Sequence, residues 1–200
     1  PAWRPFTRQA IAYPASRPGL PFSSQDVYRD KAWRNNMLNA FTVDVEEWFH
    51  VCRAERHLPR DRWDSFPSRV ERGVDAIRTL CDRHSFRATF FVLGWVAKRY
   101  PGLVRSLVAD GHEIACHGYG HTPLFDQRPA DFRLDLERAT ALLTDQADGP
   151  PIGYRAPEWS VTRETAWALD DIARLGYVYH ASHLPSRLCG RSGLRRWPHL

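Results

Sequence analysis

Lysine and methionine are almost missing from this 200-residue chain: 26 of its 28 basic residues are arginine, and Met37 is its single methionine. A GC-rich genome produces such an arginine bias as readily as selection does, so the bias by itself assigns no function. Met37 stands just before the first strand candidate. Residues 1–36 therefore have two even readings, a flexible leader or upstream sequence with translation starting at Met37. They carry Pro1, Pro5, Pro14, Pro18 and Pro21 with no sustained periodicity, as expected of an extended or disordered segment. Long hydrophobic runs are also lacking. No stretch approaches the roughly 20 apolar residues of a membrane span, and the N-terminus has no apolar core of a signal peptide, which makes a cytoplasmic location the default expectation. The four cysteines, Cys52, Cys81, Cys116 and Cys189, show no Cys-x-x-Cys spacing. That argues against a zinc ribbon and against a disulfide framework. Cys116 ends a strand-like run and is expected to pack as a small apolar residue.

The net charge of +5 is unevenly spread. Residues 1–36 hold six basic and two acidic side chains, and residues 184–200 hold four basic and none acidic, whereas the middle of the chain holds 18 basic and 21 acidic. A domain that tracks phosphates would concentrate its arginines on the folded part, so no nucleic-acid partner is expected. Length and the 43% hydrophobic content suit one globular domain with a real core.

From Met37 onward the pattern is regular. Strands are predicted over 39–45, 87–93, 113–116, 153–156 and 177–181. Helices are predicted over 69–84, with Val70, Val74, Ile77 and Leu80 on one stripe, and over 95–109, with a restart at Pro101. A helix opening at Pro129 has Phe132, Leu136, Ala139 and Leu143 as its stripe. A last helix is predicted over 162–175, with Thr162 or Val161 near its N-cap and Gly176 just past its end. Strands alternating with helices imply an α/β fold of βαβ units around a parallel sheet, and in barrels of that type chemistry collects at the carboxyl ends of the strands.

The groups able to do chemistry fall at those ends. His117-Gly118-Tyr119-Gly120-His121 follows the third strand, and its two glycines make a loop a better host than a helix. Two imidazoles converging from a loop need a further ligand to hold a divalent metal, usually a carboxylate. Asp44-Val45-Glu46 closes the first strand and puts two carboxylates at i and i+2 on one face. Glu46 with His117 and His121 makes a His₂-carboxylate set with open positions, the arrangement of a hydrolytic zinc centre, with Asp44 left free as a base. Arg155 closes the fourth strand. A purely structural zinc is disfavoured, because it normally has four protein ligands.

These residues resemble the polysaccharide deacetylases with the NodB-homology domain, carbohydrate esterase family 4. Thr42-Val43-Asp44-Val45-Glu46 looks like the Asp-x-Glu variant of the family's first motif. His117 to His121 matches its His-x-x-x-His motif, and Arg155-Ala156-Pro157 matches its Arg-x-Pro motif. The wording is especially close to the subfamily of bacterial exopolysaccharide and exosortase loci, and the likeness covers roughly residues 38–182. The resemblance implies metal-dependent removal of N-acetyl groups from an amino-sugar polysaccharide or oligosaccharide. It implies Asp44 as general base, Glu46, His117 and His121 as ligands of zinc, with cobalt and nickel as alternatives, and Arg155 as the residue that holds Asp44 ionised and oriented. A backbone N–H just after Pro157 would help the metal to stabilise the oxyanion.

Two departures qualify this. An aromatic residue often follows the Arg-x-Pro proline in the family, but Glu158 stands there and the aromatic comes one later, at Trp159. The family's downstream motifs, which carry a general-acid His, are not found in residues 184–200. His180 and His183 lie too early to match and read as loop or strand-end residues. The expectation is a partial (β/α) barrel of the deacetylase type over 37–183, with about five β/α units, its C-terminal strands missing and 184–200 a basic tail. The alternative is a non-catalytic carbohydrate-binding remnant whose rim aromatics Trp48, Tyr119 and Trp159 stack on sugar.

Overall fold

The computed structural model describes residues 39–183, so the leader at 1–36 and the tail at 184–200 lie outside the described residues. The chain divides after Asn39, and every strand and helix described belongs to the unit from Ala40 onward. Five parallel strands run in the order β1 (Thr42–Val45), β2 (Thr89–Val92), β3 (Glu113–Cys116), β4 (Gly153–Tyr154) and β5 (Tyr179–His180). Each crossover adds the next strand on the same side, which is the winding of a (β/α) barrel rather than of a doubly wound sheet. Among the described residues β1 and β5 each pair on one side only, and five strands are fewer than the eight that close such a barrel. The structure is therefore an open arc of a barrel.

Between the strands lie α1 (Val70–Arg83), α2 (Gly94–Arg99), α3 (Pro101–Ala109), α4 (Pro129–Gln146) and α5 (Ala168–Arg174). β2 reads Thr-Phe-Phe-Val, and Phe90, Phe91, Val92 and the following Leu93 are wholly buried, because helices cover one face of the strand and the barrel interior the other. Pro101 restarts the helical region as predicted: it has no N–H to lose in a first turn, and Tyr100 before it leaves helical geometry. On α4 the predicted stripe of Phe132, Leu136, Ala139 and Leu143 is buried. Among the described residues no helix is long and apolar enough to cross a membrane.

Two expectations need correction. Leu80, placed on the α1 stripe, is 40% exposed, and Cys81 takes its place with no exposure at all. A 3.6-residue period carries the stripe from Val70, Val74 and Ile77 to position 81, and Leu80 falls off its edge. The helix predicted over 162–175 begins only at Ala168. Hydroxyls compete with the helix bonds there: the Thr162 N–H donates to Thr165 Oγ1 at 2.7 Å, and the Thr165 hydroxyl donates to the Ser160 carbonyl at 2.6 Å. The other end is as expected. Gly176 has φ +87°, its N–H donates to Ala173 and the Tyr177 N–H to Ile172, a Schellman ending.

Candidate metal centre

β1 ends in Asp44 and Val45, and Glu46 follows, so the two carboxylates leave the strand on the same side. Arg155, just past β4, reaches across the sheet. Its Nη1 donates to Asp44 Oδ1 at 2.6 Å, its Nη2 to Thr42 Oγ1 at 3.0 Å and its Nε to the Ala181 carbonyl at 3.1 Å. Its guanidinium carbon lies 4.0 Å from the centre of the Phe91 ring. One side chain from the end of β4 thus ties β1, β2 and the residue after β5.

His117 continues the β3 ladder, its N–H donating to Val92, and is 2% exposed. Its Nδ1 lies 2.8 Å from the Arg155 carbonyl. A carbonyl only accepts, so Nδ1 carries the proton and Nε2 presents a lone pair, the tautomer a metal ligand needs. Burial pushes the imidazole pKa down, against the opposing pull of Asp44, which keeps it neutral. His121 Nε2 meets Glu46 Oε2 at 2.8 Å. Burial would raise the Glu46 carboxyl, yet the hydrogen bond and charge of His121, helped by His117 and His50, leave it lowered overall. Glu46, His117 and His121 offer ligand atoms that all lie within 4.8 Å of one another. Three atoms 2.0–2.2 Å from one zinc lie no more than about 4.4 Å apart, so a small contraction fits a divalent ion. A hard carboxylate with two imidazole nitrogens suits zinc, cobalt or nickel alike.

The loop carrying the histidines is held from several sides. Gly118 has φ +77° and His121 φ +50°, and a non-glycine residue in that region costs on the order of 1–2 kcal/mol. Asp135 of α4 accepts the Tyr119 N–H at 2.7 Å on Oδ2 and the Gly120 N–H at 2.9 Å on Oδ1. Burial raises the Asp135 carboxyl pKa and those two N–H groups oppose the rise. Arg60 donates to the Gly120 carbonyl and, at 3.4 Å, to the His121 carbonyl, while its guanidinium carbon sits 4.9 Å from the centre of the Trp63 ring. Cys52 Sγ lies 3.4 Å from His121 Nδ1. Next to them His50, 2% exposed, stacks on His121 with ring centres 6.3 Å apart and packs against Phe49, Trp63 and Trp95. Its Nδ1 accepts the Glu47 N–H, and its Nε2 is buried without a hydrogen-bond partner.

Sequence reasoning singled out none of Asp135, Arg60, Cys52 and His50 for the site. One signal was there: Asp135 interrupts the apolar stripe of α4, three residues after Phe132 and one before Leu136, where a carboxylate needs a reason to be.

Asp44, Glu46, His117, His121 and Arg155 therefore meet at one rim. The predicted sugar-stacking aromatics do not all share it. Trp159 is 37% exposed on the Arg155-x-Pro turn, with φ +47°. The Tyr119 ring instead packs 3.6 Å from the Arg138 guanidinium and over Gly94, where a Cβ would come within 2.7 Å of it. Trp48, 40% exposed, donates from Nε1 to the Pro67 carbonyl at 2.9 Å and packs on Phe49 and Phe66. Cys116 is wholly buried, as expected. His180 ends β5 with its ring centre 5.0 Å from that of His183.

Residues 63–180, more than half of the chain, match the family model for polysaccharide deacetylase. The chain belongs to the polysaccharide deacetylase family. The match begins beyond Asp44 and Glu46, so their place at the deacetylase rim rests on geometry. A peptidoglycan-N-acetylglucosamine deacetylase, PgdA, of Listeria monocytogenes is 31% identical over 84 residues, 42% of this chain and 18% of that protein. A chitooligosaccharide deacetylase of a Bradyrhizobium species is 43% identical over 76 residues, 38% of this chain and 35% of that protein. A Mycobacterium smegmatis crystal structure assigned to the polysaccharide deacetylases superposes with a TM-score of 0.57 at 30% identity, over 74% of this chain and 51% of that one. The chain thus spans about half or less of the length of these relatives.

Proposed function

We propose that the chain carries the metal-binding half of an N-deacetylase acting on an N-acetylated amino-sugar polymer of the exopolysaccharide kind, with zinc as the resident ion. The observation that carries this reading is the convergence of Glu46, His117 and His121 beside the Asp44–Arg155 ion pair. A divalent metal held by those three side chains supplies Lewis-acid polarisation of the amide carbonyl and an acidified water nucleophile. Asp44, oriented by Arg155, takes the proton of the attacking water. The N–H of Glu158, directly after Pro157, donates to the oxyanion that forms as the acetyl carbon becomes tetrahedral. Trp159, exposed on the same turn, is an aromatic free to face a sugar ring. Trp48, 40% exposed, keeps its place as a second candidate, whereas the Tyr119 ring is engaged by Arg138 and Gly94.

The resemblance implies a general-acid His from the family's downstream motifs as proton donor to the leaving amine, and none of the residues described is assigned that role. The test is acetate release from an N-acetylglucosamine oligomer. Release abolished by Asp44→Asn supports the deacetylase; oligomer binding with no acetate from either form sinks it in favour of a carbohydrate-binding remnant.

A further inference from the structure

His117 and His121 lie on a glycine-rich loop, and a loop of that composition has no stiffness of its own to fix the separation of two ligand nitrogens. The strain at His121, a ligand in left-handed backbone geometry, persists only if its surroundings over-determine it. Those surroundings are a matched pair of charges. Asp135 takes two consecutive amide N–H groups, Tyr119 at 2.7 Å and Gly120 at 2.9 Å, one on each carboxylate oxygen. Arg60 donates to the carbonyls of Gly120 and His121. Gly120 donates to one clamp and accepts from the other, while the Gly118 and Tyr119 carbonyls accept the N–H groups of Gly94 and Trp95 at 2.8 and 3.1 Å, so both peptides between Gly118 and Gly120 are held at their N–H and at their carbonyl.

The glycines also explain how closely the clamp fits. A Cβ at Gly118 would come within 3.1 Å of Asp135 Oδ2, and one at Gly120 within 3.4 Å of Asp135 Oδ1 and 3.3 Å of Arg60 Nη1. A side chain at Gly118 would press on the carboxylate, and one at Gly120 on the guanidinium, each by a few tenths of an ångström. Gly118 thus serves both the turn, at φ +77°, and the close approach of Asp135.

We propose that Asp135, together with Arg60, is the positioning residue of the metal centre: it sets the separation of the His117 and His121 nitrogens by bonding the peptides between them, without touching the ion. The inference rests on the reading of Glu46, His117 and His121 as ligands. Its consequence is that metal affinity and coordination geometry depend on a carboxylate on the outer helix layer.

Titration of the full chain with Co²⁺, followed by its visible absorption, tests this, because the band positions report the geometry around the ion. Loss of an outer partner of a ligand commonly weakens metal binding 10–100-fold. Asp135→Ala and Asp135→Asn are each expected to bind Co²⁺ about 10–100-fold more weakly and with shifted bands, while retaining wild-type far-ultraviolet circular dichroism. Arg60→Gln, which leaves α4 untouched, is expected to act in the same direction if the alanine variant does not fold. His117→Ala is the control. If it loses Co²⁺ while folded Asp135 and Arg60 variants keep wild-type affinity and spectrum, the clamp is wrong and the ligand assignment stands. If His117→Ala binds Co²⁺ as the wild type does, the ligand assignment falls and takes the clamp with it.

Discussion

Arg155 Nη1 sits 2.6 Å from Asp44 Oδ1, joining residues 111 positions apart at the ends of β4 and β1. Both side chains are mostly shielded from solvent. The same guanidinium holds Thr42 and the Ala181 carbonyl, so one residue orients a carboxylate and ties three strand ends together.

Replacing Arg155 by glutamine or alanine therefore carries two costs. Removing one partner of a shielded ionic hydrogen bond costs about 1–3 kcal/mol through the group left unpaired, read as a lower midpoint in urea unfolding. Acetate release should fall at least tenfold beyond that, because Asp44 loses its orientation. Arg155→Lys keeps the charge but not the fork, and is expected to recover stability better than activity. Wild-type unfolding and activity in Arg155→Ala would contradict the role given to the pair.

Much of this arrangement is legible in the sequence, and the reason is local. Asp44-Val45-Glu46, His117 to His121 and Arg155-Ala156-Pro157 each follow a short apolar run, and parallel strands bring their ends to one rim. The details that fail are set by residues far along the chain. Tyr119 looks like a rim aromatic, yet Gly94 and Arg138 draw its ring down among the helices. Asp135 and Arg60 reach the histidine loop from 15 and 60 residues away, a separation at which no periodicity operates. In 162–167 the threonine hydroxyls, not the apolar pattern, decide where α5 starts.

The Tyr119 contact makes a test of its own. A Cβ at Gly94 would lie 2.7 Å from Tyr119 Cδ2 and 3.2 Å from the Ala139 backbone, and the latter cannot swing aside. Gly94→Ala is expected to destabilise the fold by about 1–3 kcal/mol through overpacking, despite alanine being the better helix former. An unfolding midpoint at or above wild type would show that Tyr119 and α4 yield freely.

Acid should weaken the metal-free fold through His50. Burial, followed by the charge of His121, pushes its pKa from an ordinary 6.5 down to about 3. Below pH 6.5 the unfolded chain takes up a proton that the folded chain refuses until near pH 3, so stability is full above 6.5 and lost as pH falls. The slope approaches about 1.4 kcal/mol per pH unit for one such group, with His117, also lowered by burial, adding in the same direction. Urea unfolding of metal-free protein at pH 7, 6 and 5 measures it. His50→Phe, which keeps an aromatic ring in that wall, should flatten the dependence; equal slopes in both proteins would show that His50 titrates normally.

The centre itself is tested most directly by metal content. Wild-type protein, loaded with Zn²⁺ and passed through a desalting column, should retain about one ion per chain by elemental analysis, as a single three-residue site requires. Glu46→Gln, His117→Ala and His121→Ala, each shown to be folded, should retain close to none. Wild-type metal content in the two histidine variants would contradict the account at its base.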